Sequence, residues 1–421
     1  MDKDIVTLTK SDKKQITGNY VGWHFFLCFC LVFVLNPLCG IFLCLGYILY
    51  KGDEELPAFA YYTLFALLAC WLGSINITKM LTGDLPGYVS MFNHVPDRGF
   101  YTTVFEAWGG TGREPLYSFF TYVGYYVCFG RASLFFFLLV TVMYYLLFVS
   151  TYRLFRKVGG SQAEIVCGIL VLAFFTQYFV LTSHLVRQML AMSIVMYAVV
   201  ERVVTGRHKW MWLIVALLTH TSVMLIVLFS FVPYIYKRMP MAKIAVLLAC
   251  FIPVILFNTQ IGSLLVGSNV QIAAVQYAAS RYASNASDGI SIPMPLLLTV
   301  YVPLFVVAAK VLWTLRDDEE NELYPVVYMS LLLMVFVLAF SQNSLIQYRY
   351  FYFSYAFIPF ILPLMFYRGD RGNDIYYCSL VSLLFIVRFF LIHNTSGMTF
   401  APLQEIVFMP FPYYFINTFY Y

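Results

Sequence analysis

Ser183-His184-Leu185-Val186-Arg187-Gln188-Met189-Leu190-Ala191 joins two long apolar runs, Glu164 to Thr182 before it and Met189 to Val204 after it. Read as helix, residues at i, i+3, i+4 and i+7 share a face, which puts His184, Arg187, Gln188 and Ala191 together. Val186, Met189 and Leu190 then fall on the opposite side, with small Ser193 beyond. An arginine this deep in apolar sequence costs roughly 3 kcal/mol on insertion scales. It therefore turns to a cavity or a partner, or else snorkels to the interface from a helix end. The first alternative predicts that the rest of the chain builds a cavity around this face.

Composition sets the surroundings of that cavity. The chain has 421 residues, 61% hydrophobic and only 11% charged. Soluble domains carry about 25% charge, so the expectation is an all-α, polytopic integral membrane protein embedded in a lipid bilayer. Aromatic residues make up 19%, much of it tyrosine near segment ends, as in interfacial belts. The net charge of +5 is spread over short loops. Nucleic-acid binding would need a clustered basic face, and the sequence has none. All nine cysteines lie in or beside apolar runs, with neither metal-ligand nor disulfide spacing. No metal and no cofactor is expected.

Apolar runs of about 17 to 25 residues read as spanning helices. They occur at Pro57 to Ile77, Ala132 to Tyr152, Glu164 to Thr182, Gln188 to Val204, Ile244 to Asn258, Ile292 to Leu315, Tyr324 to Phe340, Ile346 to Tyr367 and Ile375 to Ile392. Trp23 to Tyr50, with Asn36-Pro37 near its middle, and Trp210 to Tyr236, with Thr219-His220-Thr221-Ser222 at its centre, are longer. Each is either one tilted helix or a pair of short broken ones. The total is roughly ten to thirteen transmembrane or re-entrant helices. Organisation follows: a polar N-terminal segment at 1–22, a membrane domain at 23–393 and an aromatic tail at 394–421.

Lys and Arg mark cytoplasmic loops: Arg153, Arg156 and Lys157; Arg202, Arg207 and Lys209; Lys237, Arg238 and Lys243; Arg368 and Arg371. With both flanks of Trp210 to Tyr236 on that side, the run turns back inside the membrane and carries His220 at its tip. Arg187 falls near the outer surface, with outer loops at about 78–131 and 259–291. Pro115 to Gly130 must then be an interfacial or re-entrant helix.

The outer segments hold the polar residues that need explaining. Asp84, four residues before Tyr88 and bracketed by glycines, could present a base to a sugar hydroxyl, or Gly-Asp-x-Pro-Gly is a turn and nothing more. Glu114, His184 and His220 are further acid–base candidates. Arg187, Arg281 and Arg349 come from three distant segments, and guanidinium suits phosphate recognition. Each could equally be an interfacial anchor between tyrosines. No phosphate-binding glycine loop, dinucleotide fingerprint, nucleophile elbow or His-Glu-x-x-His occurs. Coupling to nucleotide within this chain is excluded.

Taken in order, these residues resemble the EpsG-type family of exopolysaccharide and O-antigen polymerases, the Wzy-like group. The resemblance rests on Asp84 with Tyr88, Glu114-Pro115-Leu116-Tyr117, Arg187-Gln188-x-x-Ala191, His220-x-Ser222, Arg349 opening a tyrosine-rich helix, and Pro412-Tyr413. The polar N-terminal extension and Pro86 inside the Asp-to-Tyr spacing depart from the pattern. The resemblance implies a multi-pass protein of the bacterial inner membrane that joins undecaprenyl-pyrophosphate-linked oligosaccharide units. An acceptor hydroxyl attacks the anomeric carbon of the donor chain, and the lipid diphosphate leaves. Because that leaving group carries its own activation, neither metal nor nucleotide is needed. Arg187 and Arg349 would stabilise its charge, with Gln188, Arg281 and Tyr88 as further binding groups and Asp84 as first candidate base. A chain-length regulator and a flippase are the implied partners. The alternatives are a flippase or exporter of lipid-linked glycan and a membrane O-acetyltransferase of the same pathway.

Overall fold

The computed structural model describes residues 24, 26–52, 58–106, 114–240, 292–340, 344–392 and 400–418, with isolated positions at 243, 246 and 249. Among them there are helices and turns but no strand. A backbone in lipid must satisfy its own hydrogen bonds, and helices do so within one segment. The expected span Ile244 to Asn258, isolated positions aside, and the loop carrying Arg281 lie outside the described residues.

The first long stretch is a hairpin. Helices α1 (Phe26–Leu35) and α2 (Pro37–Lys51) fold against each other at Asn36, so that the Phe29 and Tyr47 rings meet at 5.9 Å. Asn36 caps α2 by accepting from the Cys39 amide at 3.0 Å, and its own amide donates to the Val407 carbonyl at 3.0 Å. Gly40 is required here, since a Cβ on it would sit 2.7 Å from the Phe33 Cα.

Helix α3 (Ala58–Asn76) crosses to the far end, where α4 (Leu85–Asn93), α5 (Val95–Phe105) and α6 (Pro115–Val127) form the expected outer segment. Proline in the first turn of α4, α5 and α6 sets their starts. Helix α6 lies on α5, with Phe100 edge-on to Tyr122 at 5.1 Å. The long α7 (Ala132–Lys157) is central and packs on both α3 and α10 (Val186–Thr205).

Two expectations are corrected between α7 and α10. The run Glu164 to Thr182 is not one straight span. Helices α8 (Gln162–Ala173) and α9 (Thr176–His184) meet at a 48° bend. The bend sends Phe174 onto Trp71 (5.6 Å) and Phe175 onto Tyr355 (5.0 Å), so tertiary ring packing sets it, with no Pro or Gly at the break. Nor is Ser183 to Ala191 one helix. Leu185 leaves helical geometry (φ −112°, ψ 50°) where the chain reverses between α9 and α10, and so His184 and Arg187 point to different neighbours.

The second long stretch is also a hairpin. Helix α11 (Trp210–Thr219) ends at His220, whose extended backbone (φ −158°, ψ 124°) opens a single turn of 3-10 helix. Helix α12 (Met224–Phe231) then runs back, stacking Phe231 on Trp210 at 4.8 Å. Tyr236 returns to Arg202, with the guanidinium 3.6 Å from its ring centre. His220 is therefore the tip of a re-entrant loop.

The chain continues through α13 (Met294–Thr314), α14 (Tyr324–Ala339), α15 (Ser344–Ile361) and α16 (Arg371–Ile392) to the short α17 (Leu403–Phe408) and α18 (Tyr413–Ile416). The tail closes over the outer end of α3: the Ala401 amide donates to Thr78 (3.0 Å) and Thr418 to the Ile77 carbonyl (2.8 Å). Among the described residues, six helices are long and apolar enough to cross a membrane, or seven counting the bent pair as one span. With the shorter apolar helices the total falls within the expected range. Basic residues gather at the other end, where Lys157 meets Glu322 (3.2 Å), Lys237 meets Glu320 (2.7 Å) and Arg368 meets Asp318 (3.2 Å).

Candidate functional site

Three segments far apart in sequence meet at the first turn of α10. Arg187 ion-pairs with Glu114, which precedes α6, and the second carboxylate oxygen lies 3.4 Å from His220 Nε2 at the hairpin tip. Arg187 Nε also donates to the Tyr88 hydroxyl of α4 at 3.3 Å. The guanidinium stands 5.2 Å from the Tyr88 ring centre and 6.0 Å from that of Tyr117, within cation–π range. Glu114 is 8% exposed and His220 7%. The site lies at the end of α10 opposite the basic loops, about 22 Å along that helix from Arg202.

The backbone shows how the parts are held. Glu114 adopts left-handed geometry (φ 55°, ψ 52°), which costs a non-glycine residue of order 1 kcal/mol and persists where surroundings over-determine it. Here the ion pair and the proline-started α6 do so. The Ser222 amide donates to His220 Nδ1 at 3.1 Å, and the Ser222 hydroxyl lies 2.8 Å from the same nitrogen. An amide N–H only donates, so Nδ1 is an acceptor and the neutral ring carries its proton on Nε2, facing Glu114. The result is an oriented carboxylate held from one side by a guanidinium and from the other by an imidazole N–H.

Arg349 approaches from α15. Its carbonyl accepts from the Gln188 side chain at 2.9 Å, and its guanidinium acts electrostatically on His220 together with that of Arg187. Gln188, almost fully buried, is thus a strut between α10 and α15. Burial pushes the phenols of Tyr88 and Tyr117 above their ordinary range, with Arg187 opposing it. Both remain neutral and offer rings and hydroxyls. Among the described residues no group of three or more His, Cys, Asp and Glu is placed to hold a metal ion.

Asp84, the first candidate base by sequence, is exposed at the start of α4 and lies beside Lys79 and His184. The carboxylate that meets Arg187 is Glu114. His184, at the end of α9, turns from Arg187 to Gly83. A Cβ on Gly83 (φ 64°) would meet the imidazole at 1.9 Å, so the close approach and the left-handed turn both demand glycine. Sequence reasoning did not single out Tyr117 and Ser222 as site residues, although both stand inside the motifs that carried the resemblance.

Lys79 was not anticipated either. It follows α3, is fully buried, and its Nζ has no hydrogen-bond partner among the described residues. Burial pulls its pKa down to about 8, with Asp84 acting in the opposite direction. An unfolded lysine keeps its proton to about 10.4. Between these values Lys79 binds its proton in the unfolded chain but not in the folded one, so its own contribution to stability rises with pH. Across pH 8 to pH 10 the melting temperature in detergent of the wild type should therefore rise relative to that of Lys79→Met, whatever slope the other groups impose on both. An unchanged slope in that variant assigns the effect to other groups.

Fold and site together define a polytopic helical membrane protein with a cationic and acid–base cluster buried at the end opposite its basic loops. A family model matches residues 59–405, and the chain belongs to the EpsG family. It is a multi-pass membrane protein of a polysaccharide-polymerase, glycosyltransferase-like type. No curated protein and no solved structure matches it.

Proposed function

We propose that this chain polymerises lipid-diphosphate-linked oligosaccharide repeat units at the outer face of the bacterial inner membrane. The observation that carries the reading is the buried Arg187–Glu114–His220 cluster, assembled at the end opposite the basic loops. Arg187 and Arg349 would take the diphosphate of the donor. As the bond from anomeric carbon to phosphate oxygen breaks, charge gathers on the leaving diphosphate, and preorganised guanidinium groups in a site shielded from water stabilise it. The acceptor hydroxyl forms the new glycosidic bond and loses a proton. Glu114 would receive that proton, with His220 holding the carboxylate. Tyr88 and Tyr117 offer ring faces beside the guanidinium.

The test is the profile of lipid-linked glycans in a strain lacking the gene, read by mass spectrometry. Carriers bearing a single repeat unit should accumulate at the outer face. Accumulation at the cytoplasmic face identifies an exporter instead. Polymer of normal length that lacks an acetyl group identifies an acyltransferase.

A further inference from the structure

The basic end of the molecule holds a second polar recess, remote from Arg187 and independent of the proposed polymerase reading. A cavity of about 750 Å³ opens between α2, the start of α8 and the turn leading into α16. Its floor carries two carboxylates, Glu164 (3% exposed) and Asp374 (5% exposed). Ser161 ties them together: its hydroxyl donates to Asp374 at 2.6 Å, and its amide donates to one Glu164 oxygen at 2.6 Å. Asp374 also accepts from the Cys378 thiol at 3.4 Å. The other Glu164 oxygen, Oε1, is buried with no hydrogen-bond partner among the described residues.

A buried carboxylate oxygen without a donor is costly, and here it sits beside a second carboxylate. The group that would satisfy both is a cation bearing several N–H donors. At the rim the charge reverses, with Arg371 and Arg368 lining the opening, both exposed, the latter also paired with Asp318 at 3.2 Å. Leu49 on α2 and Ile375 on α16 also line the cavity and are exposed on the outer surface of apolar helices. The recess thus opens sideways, toward the lipid. From floor to mouth it offers acid, then guanidinium, then an apolar wall.

We propose that this recess binds a phospholipid of the inner leaflet whose headgroup is a primary ammonium, as in phosphatidylethanolamine. The ammonium would donate to Glu164 and Asp374, the phosphate would meet Arg368 and Arg371, and the first acyl carbons would lie against Leu49 and Ile375. A trimethylammonium headgroup has no N–H for Glu164 Oε1, and an anionic glycerol headgroup would face two carboxylates.

Native mass spectrometry of the full chain in detergent tests this, with phosphatidylethanolamine, phosphatidylcholine and phosphatidylglycerol of identical acyl chains added separately. Phosphatidylethanolamine adducts should be retained over the other two by roughly tenfold or more, the worth of one hydrogen bond to a charged group. Glu164→Gln keeps the cap on Ser161 possible and should erase that preference. Leu49→Trp should reduce adducts by filling the mouth. Equal retention of the three lipids by the wild-type chain overturns the proposal without recourse to any variant. Free phosphoethanolamine that displaces the lipid at equal concentration overturns the part assigned to the apolar wall.

Discussion

Replacing Arg187 with alanine is expected to lower polymerisation of lipid-linked repeat units by about 10²- to 10³-fold, the usual loss when one preorganised donor to developing charge is removed. The expectation follows from position. Arg187 contacts Glu114, Tyr88 and the Tyr117 ring face at once. Arg187→Lys keeps the charge but loses the planar fork that addresses a carboxylate and a hydroxyl together, so less than about a tenth of the activity should return. Truncation also strands Glu114 as a buried charge, and breaking such a pair costs about 3–5 kcal/mol. Lost activity could then reflect lost protein. Arg187→Ala combined with Glu114→Gln removes both charges and restores neutrality, so this variant should melt near the wild type yet still leave single-unit carriers unjoined. Wild-type chain length in that double variant would refute the assigned role of Arg187.

The architecture was largely legible because lipid imposes simple rules. Apolar run length marked the spans, Asn36-Pro37 left the first long stretch open between one tilted helix and a broken pair, and basic flanks on both sides of Trp210 to Tyr236 pointed to a turn within the second. Arg187 stood out because a cation in apolar sequence demands a partner. Its partner did not stand out. Glu114 lies 73 positions away, and no local periodicity encodes which of several outer-loop carboxylates folds onto the guanidinium. Asp84 looked better placed because glycines bracket it, yet Gly83 serves the turn packed on His184 and Gly87 lies within α4 with open space around it. The breaks at Leu185 and at Phe174–Phe175 were equally hidden. Neither has proline or glycine, and both arise where the chain reverses or bends to meet rings from distant helices. Helical periodicity read across Leu185 therefore joined His184 and Arg187 on a face that does not exist.

The pairing of Glu114 with His220 makes the second large prediction, and it concerns coupling as much as size. Glu114→Gln keeps the shape and the Arg187 contact but cannot take a proton, so polymerisation should fall by about 10²-fold or more, within the range of general-base contributions. His220→Ala removes the N–H that holds the carboxylate and should cost nearly as much. The hairpin tip itself should persist, since α11 and α12 are pinned at their far ends by Phe231 on Trp210. Because His220 acts through Glu114, the double variant should be little worse than Glu114→Gln alone, as expected of groups that work as a unit. Ser222→Ala retains the amide donor to Nδ1 and loses only the hydroxyl, so its effect should be a few-fold. Initial rates of chain growth in proteoliposomes, with protein quantified by melting curve and yield, separate these cases. Two outcomes break the scheme. Additive losses in the double variant would give His220 a separate task, and a Glu114→Gln enzyme at the wild-type rate would leave the acceptor proton to a group outside the cluster.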